Sequence, residues 1–156
     1  IYQSALGSIV HYFLEHSLFE PSFESIDARF REFGLPPKLI QSYSKTASLL
    51  LLNTKRDKDF EWLFKYRDST EVEAEYSNST KTVIIDRLFI EDGTLWIIDF
   101  KTASLNEGES IDSFTERQKL SHQKQIKTYQ EVLEDFFKIP SKIALYCPAV
   151  SQIILL

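Results

Sequence analysis

The sequence predicts an α/β fold with a helical N-terminal half, and two observations carry that expectation. Over the first half, through the apolar block from Leu49 to Leu52, apolar side chains recur at helical spacing. From residue 71 the period falls to two, apart from one long helical stretch before the closing residues.

Leu6, Ile9, Val10, Phe13 and Leu14 share one helical face, and Pro21 closes that run. Residues 22–33 repeat the pattern and stop at Gly34, a residue suited to the left-handed backbone that ends helices. Pro36 and Pro37 open another helix, which runs through the apolar block from Leu49 to Leu52. DFEWLFKY, residues 59–66, suits a short helix or a strand, with helix favoured. EVEAEY then alternates, KTVIIDRLFI is rich in β-branched residues, and LWIIDF follows across Glu91-Asp92-Gly93-Thr94. Residues 102–114 are polar and read as a loop. Leu120, Ile126, Tyr129, Leu133 and Phe136 mark a long helix that ends near Pro140, and KIALYCP and SQIILL give one or two closing strands.

At 156 residues, 43% of them hydrophobic, the chain has the size and apolar mass of one domain spanning 1–156. It starts with Ile inside a helical pattern, so it is expected to be the C-terminal part of a longer polypeptide. The single Cys147 excludes an internal disulfide framework, and equally an iron–sulfur cluster held by four thiolates of this chain. No apolar run reaches the roughly 18 residues of a membrane span, and the opening residues lack a signal-peptide layout. A cytoplasmic protein with no membrane contact is expected. A net charge of −5 gives no global positive field, which argues mildly against unaided capture of nucleic acid.

The chemistry is concentrated in one hairpin. A type I′ turn needs positive φ at both central residues, and Asp92-Gly93 between two apolar runs supplies them. That turn sets the register, so that Phe89 faces Trp96 and Asp86 faces Asp99. Opposed residues have Cβ atoms about 4.5–5.5 Å apart, and like charges there repel. Strict alternation puts Ile84, Leu88, Ile90, Leu95 and Ile97 on the acids' face and Val83, Ile85, Phe89, Trp96, Ile98 and Phe100 on the other, so apolar surroundings are expected on both. Two charges about 4 Å apart repel by about 4 kcal/mol at an effective dielectric near 20, and a bound cation would turn that repulsion into coordination. Lys101, two residues beyond Asp99, shares its face. Mg²⁺ takes oxygen ligands from one or two carboxylates, with water and phosphate completing the shell, so Asp86, Asp99 and the Phe100 carbonyl suit it, with Lys101 beside them to orient an attacking water. Any single acid is ordinarily satisfied by backbone donors and one salt bridge. Two opposed acids with a same-face lysine are harder to explain in that way.

IIDRLF followed by IIDFKT resembles the RecB-type branch of the PD-(D/E)XK nucleases. The match extends to GSIVH in the first helix, to EAEY, and to QIKTY in the late helix, in the family's order. It is closest to the C-terminal nuclease domain of AddA-like and RecB-like helicase–nucleases. The resemblance implies a restriction-endonuclease-like mixed central sheet flanked by helices, a Mg²⁺ or Mn²⁺ requirement, and DNA hydrolysis in break repair. It also implies upstream helicase domains and a second AddB-like or RecC-like subunit as partners.

The same resemblance makes His11 a metal ligand, although the helical wheel puts it away from the apolar stripe. It makes Gln125 and Tyr129, spaced one turn apart, catalytic residues, though Tyr129 fits a core position equally well. Glu73 best fits the family's additional acid and Glu75 is an alternative; alternation points Glu71, Glu73 and Glu75 to one side of their strand, ordinarily a solvated face. Lys124 and Lys127, with Lys119 and His122, give the late helix a modest basic side that suits a phosphate backbone. Two further readings stay open: a non-catalytic DNA-binding or scaffolding domain of the same fold, and a stand-alone restriction-like or phage-type exonuclease.

Overall fold

Four helices make up the first of two units, residues 1–65 and 66–156, in the computed structural model, which describes residues 2–156. These are α1 (Gln3–Glu15), α2 (Phe23–Phe33), α3 (Pro37–Arg56) and α4 (Phe60–Phe64). The local signals act as expected. Ser22 caps α2 by accepting the Ser25 amide, Gly34 ends it at φ 95°, and Pro37 opens α3, where its missing N–H costs nothing. Leu6, Ile9, Val10, Phe13 and Leu14 are the buried stripe of α1, and Ile26 and Phe30 that of α2. Each such side chain contributes about 1.5–3 kcal/mol on burial, which is what makes these short helices stable. Residues 60–64 settle as helix rather than strand.

The second unit is a five-stranded mixed sheet: β1 (Glu71–Ser77), β2 (Thr82–Glu91), β3 (Thr94–Phe100), β4 (Ser141–Cys147) and β5 (Gln152–Leu155), in that spatial order. Neighbours are antiparallel except β3 and β4, which run parallel and are joined through α5 (Ile111–Phe137). A parallel pair needs such a crossover, since no tight turn can reverse the chain twice. One face of the sheet packs on α5. Ala74, Val83, Ile85, Leu88, Leu95, Ile97 and Ile143 meet Ile126, Tyr129, Val132 and Leu133 there.

Two sequence expectations need correction. The loop after β3 is shorter than 102–114: Ser110 accepts the Ser113 amide, and residues 111–114 already belong to α5, with Phe114 fully buried. The strict alternation assumed along β2 also fails. Val83 and Ile85 pack on α5 together with Leu88, while Ile84 is 55% exposed. Consecutive residues Ile85 and Asp86 therefore turn to the same face, and the pleat reverses between them. No helix among the described residues is long and apolar enough to cross a membrane.

Candidate active site

The turn between β2 and β3 has the backbone that its sequence demands, with φ 51° at Asp92 and 74° at Gly93. The register follows: Glu91 pairs with Thr94, Phe89 with Trp96 and Arg87 with Ile98. There the ladder stops, one step short of the acids. Instead of a carbonyl, the Asp86 carboxylate accepts the Phe100 N–H, at 2.7 Å. A side chain has taken a backbone partner's place, and this fixes the Asp86 carboxylate against the end of β3.

The neighbouring strand breaks at the same level. Val72 pairs with Arg87 and Ala74 with Ile85, but Glu73, which falls opposite Asp86 between those pairs, has φ 48°. That left-handed backbone is uncommon for a residue other than Gly. It reverses the pleat of β1 as Asp86 reverses that of β2. The expectation that Glu71, Glu73 and Glu75 share one side is thereby overturned. Glu71 accepts the Tyr76 hydroxyl on the α5 face at 2.6 Å, whereas Glu75 pairs with the exposed Ile84. The charge of Glu73 bears on Tyr129 together with those of Asp86 and Asp99, so Glu73 rather than Glu75 accompanies the acid pair.

Asp99 is 4% exposed, and its Oδ2 lies 2.7 Å from the Lys101 ammonium. Lys101 in turn donates to Gln125 Oε1 at 3.1 Å. Burial first, and the Asp86 carboxylate second, push the Asp99 carboxyl up to about 7, against the opposing pull of Lys101. The surroundings thus resist a second negative charge even with a lysine in contact. Burial and the same acids also push the Tyr129 phenol up, and its ring lies in the α5 core. The structure therefore brings together Asp86, Asp99, Lys101, Gln125, Tyr129, Glu73 and the Phe100 backbone. Lys124 and Lys127 are exposed elsewhere on α5.

His11 belongs to the helical unit, where its Nδ1 donates to the Gly7 carbonyl at 2.8 Å. A carbonyl can only accept, so the proton sits on Nδ1 and Nε2 carries the lone pair in the neutral ring. Among the described residues, no three His, Cys, Asp or Glu side chains are gathered closely enough to hold a metal ion by themselves. Two carboxylates with a backbone oxygen still meet the needs of Mg²⁺, which usually keeps several waters and takes substrate phosphate as a ligand.

One residue of this face escaped the sequence reading. Gln118 is buried on α5, where helical periodicity calls for an apolar side chain. Only its position one turn before His122 and two before Gln125 hints at it.

The sequence matches a family model over residues 1–149, that of the PD-(D/E)XK nuclease superfamily. Comparison with curated proteins gives no match. The mixed five-stranded sheet with its flanking helix α5 is consistent with the restriction-endonuclease-like fold of that superfamily.

Proposed function

The chain belongs to the PD-(D/E)XK nuclease superfamily, and from that premise we propose that it hydrolyses phosphodiester bonds of DNA at a centre made by Asp86, Asp99 and Lys101. One observation carries the reading: two carboxylates held side by side in a desolvated setting, with Asp99 raised to about 7 although Lys101 touches it. Such a perturbed pair marks a functional site more often than a structural one.

The donor set fits a hard divalent cation, Mg²⁺ or Mn²⁺. Asp86, Asp99 and the Phe100 carbonyl would hold it, and the resemblance alone adds His11. When bound, the ion would stabilise the charge that grows on the phosphate. The protein groups do the rest. Phe100 N–H holds Asp86 in one orientation. Gln125 and Asp99 each take one proton of the Lys101 ammonium, leaving the third for an attacking water or a phosphate oxygen. Tyr129, buried in the α5 core and within reach of the charges of both aspartates, is the other catalytic residue that the resemblance adds. Glu73, on the exposed edge strand, is an additional acid, and Lys124 and Lys127 suit the trailing phosphates.

The wider role is a cytoplasmic helicase–nuclease of recombinational break repair, acting on strands as an exonuclease. The family-ordered segments GSIVH, EAEY and QIKTY support it. In that setting residues 1–156 act as one nuclease domain behind helicase domains and beside an AddB-like or RecC-like subunit. Delivery by such partners suits a domain whose own net charge is −5.

A second reading is a non-catalytic DNA-binding domain of the same fold. Its support is that the acids already have partners, with Phe100 N–H on Asp86 and Lys101 on Asp99. Calorimetric titration of Mg²⁺ or Mn²⁺ into wild type and Asp86→Ala, beside cleavage of single-stranded DNA, separates the two. Binding and cleavage that vanish together in the variant are the expected result. A wild type that binds DNA but neither metal nor cleaves would favour the scaffold.

A further inference from the structure

Lys101 stands where β3 gives out. Its own N–H still reaches the Tyr146 carbonyl at 2.9 Å, but the residues after it belong to no strand. Among the described residues, the only main-chain hydrogen bond between there and Ser110 closes a small turn, from the Glu109 N–H to the Asn106 carbonyl at 3.0 Å. A segment so poor in main-chain bonds ordinarily frays, and the lysine ammonium is carried by its first residue.

Arg117, in the second turn of α5, holds this segment near both of its ends. Its Nε and Nη2 donate to the two oxygens of the Glu109 carboxylate at 2.9 and 2.8 Å, and Nη2 also donates to the Ser104 carbonyl at 3.0 Å. Glu109 Oε1 accepts the Asn106 N–H at 3.0 Å as well, which joins the turn to the same network. The guanidinium lies 5.2 Å from the centroid of the Phe114 ring, and Ala103 packs against the buried cluster to which Phe114 belongs.

Two parallel N–H···O bonds match a guanidinium to a carboxylate, and a lysine cannot reproduce them. The Glu109 side chain is only 11% exposed, although residues 104–108 of its loop are exposed. The bonds from Arg117 first, and from the Asn106 N–H second, pull its carboxyl down to about 2, so the pair stays charged throughout the neutral range. Isolated surface ion pairs contribute little, but a bidentate pair inside a network is the exception. α5 is thus tied at two places to the chain around Lys101, here and at Gln125, which takes a proton of the lysine ammonium at 3.1 Å. Arg117 and Gln125 stand about 12 Å apart along the helix axis.

We propose that Arg117 is a positioning residue for Lys101: by clamping Ser104 and Glu109 to α5 it fixes the backbone that leaves the lysine, and so keeps the ammonium where Asp99 and Gln125 meet it. The role rests on the nuclease reading given above. Both protons of Nη2 and the one on Nε are spent inside the protein, so Arg117 acts on the lysine and not on the strand.

The test is single-turnover cleavage of a fluorescein-labelled single-stranded oligodeoxynucleotide at saturating Mg²⁺ or Mn²⁺, with DNA affinity from anisotropy and metal affinity from calorimetry. Arg117→Gln is expected to lower the saturated rate about ten- to a hundredfold, as for a misplaced reacting group, while both dissociation constants stay within about twofold. Arg117→Lys, which keeps the charge but not the fork, should be nearly as slow. Glu109→Gln should also be slow, and adding it to Arg117→Gln should cost little more, because both break the same contact. Thermal unfolding checks that each variant is folded, and Arg117→Lys carries the test should Arg117→Gln not fold. A wild-type rate in Arg117→Lys overturns the clamp, since charge alone would then suffice. Weaker DNA binding with an unchanged saturated rate overturns it in favour of a phosphate contact, and metal affinity lost along with the rate overturns it in favour of a general loosening of the site. The nuclease reading survives each of these results. A wild type that neither binds nor cleaves DNA with either metal removes that reading, and the role of Arg117 with it.

Discussion

The Asp86 carboxylate takes the Phe100 amide at 2.7 Å where the β2–β3 ladder would otherwise continue. One residue thus serves two ends. It satisfies a backbone donor at the end of β3, and it is held beside Asp99 by doing so.

Because the two tasks use different properties of the side chain, Asp86→Asn and Asp86→Ala should part company. The amide oxygen of Asn can still accept from Phe100, so that variant should unfold within about 1 kcal/mol of wild type. Alanine strands a buried N–H and should cost about 1–3 kcal/mol. Both should lose divalent-metal binding. Urea unfolding of the two variants beside calorimetric titration checks this, and equal stabilities would mean that the bond to Phe100 contributes little.

Asp99→Ala removes one member of a mutually repelling buried pair. Cleavage should fall by more than about a hundredfold, as for loss of a metal ligand or its support. The fold should survive, and thermal unfolding should occur at or above the wild-type temperature. A variant that still cleaves would detach Asp99 from the chemistry.

Lys101→Ala should separate binding from turnover. The acids remain, so metal affinity is kept or rises once the competing ammonium is gone, while the rate drops about 10²–10⁴-fold. Calorimetry and single-turnover kinetics on the same preparation give both numbers. Loss of metal binding as well would assign the lysine a structural part.

The pH dependence has a definite sign. Asp99 is raised from 3.8 to about 7, so between those values the metal-free folded protein keeps a proton that the unfolded chain has released. Stability of the metal-free protein should therefore fall as pH rises through that window and level off above it. Asp99→Asn should lack this slope. Urea midpoints at pH 5 and pH 8 for both proteins test it, and parallel behaviour would contradict a raised carboxyl.

Much of the site could be read from the residues because short-range rules governed it. The Asp92-Gly93 turn dictated the register, and with it the closeness of Asp86 and Asp99, and Lys101 followed from the period of two. The misreadings in the strands share one cause. Alternation assumes a regular pleat, and the reversals at Glu73 and Asp86 are not announced by Gly or Asn; Glu73 takes a positive φ without the residue type that usually signals it. Hence alternation puts Val83 and Ile85 on the wrong face, and the three glutamates of β1 on a common one. Gln118 is hidden in the sequence for a different reason. A glutamine in a polar, amphipathic helix looks solvated, and only the packing of α5 reveals that it is buried.

The crossover that joins β3 to β4 also orders the assembly of the site in time. Strands β1 to β3 pair with near neighbours in the chain, and hairpins of that kind close in about 1–10 μs. The β3–β4 pairing must wait for distant residues, since Leu95 meets Ser141, and long-range closure is the slow part of folding. The two aspartates thus sit on the fast-closing meander, whereas Gln125 arrives with α5. A folding chain forms its charge-repelling half first, and Gln125, which steadies Lys101, comes last.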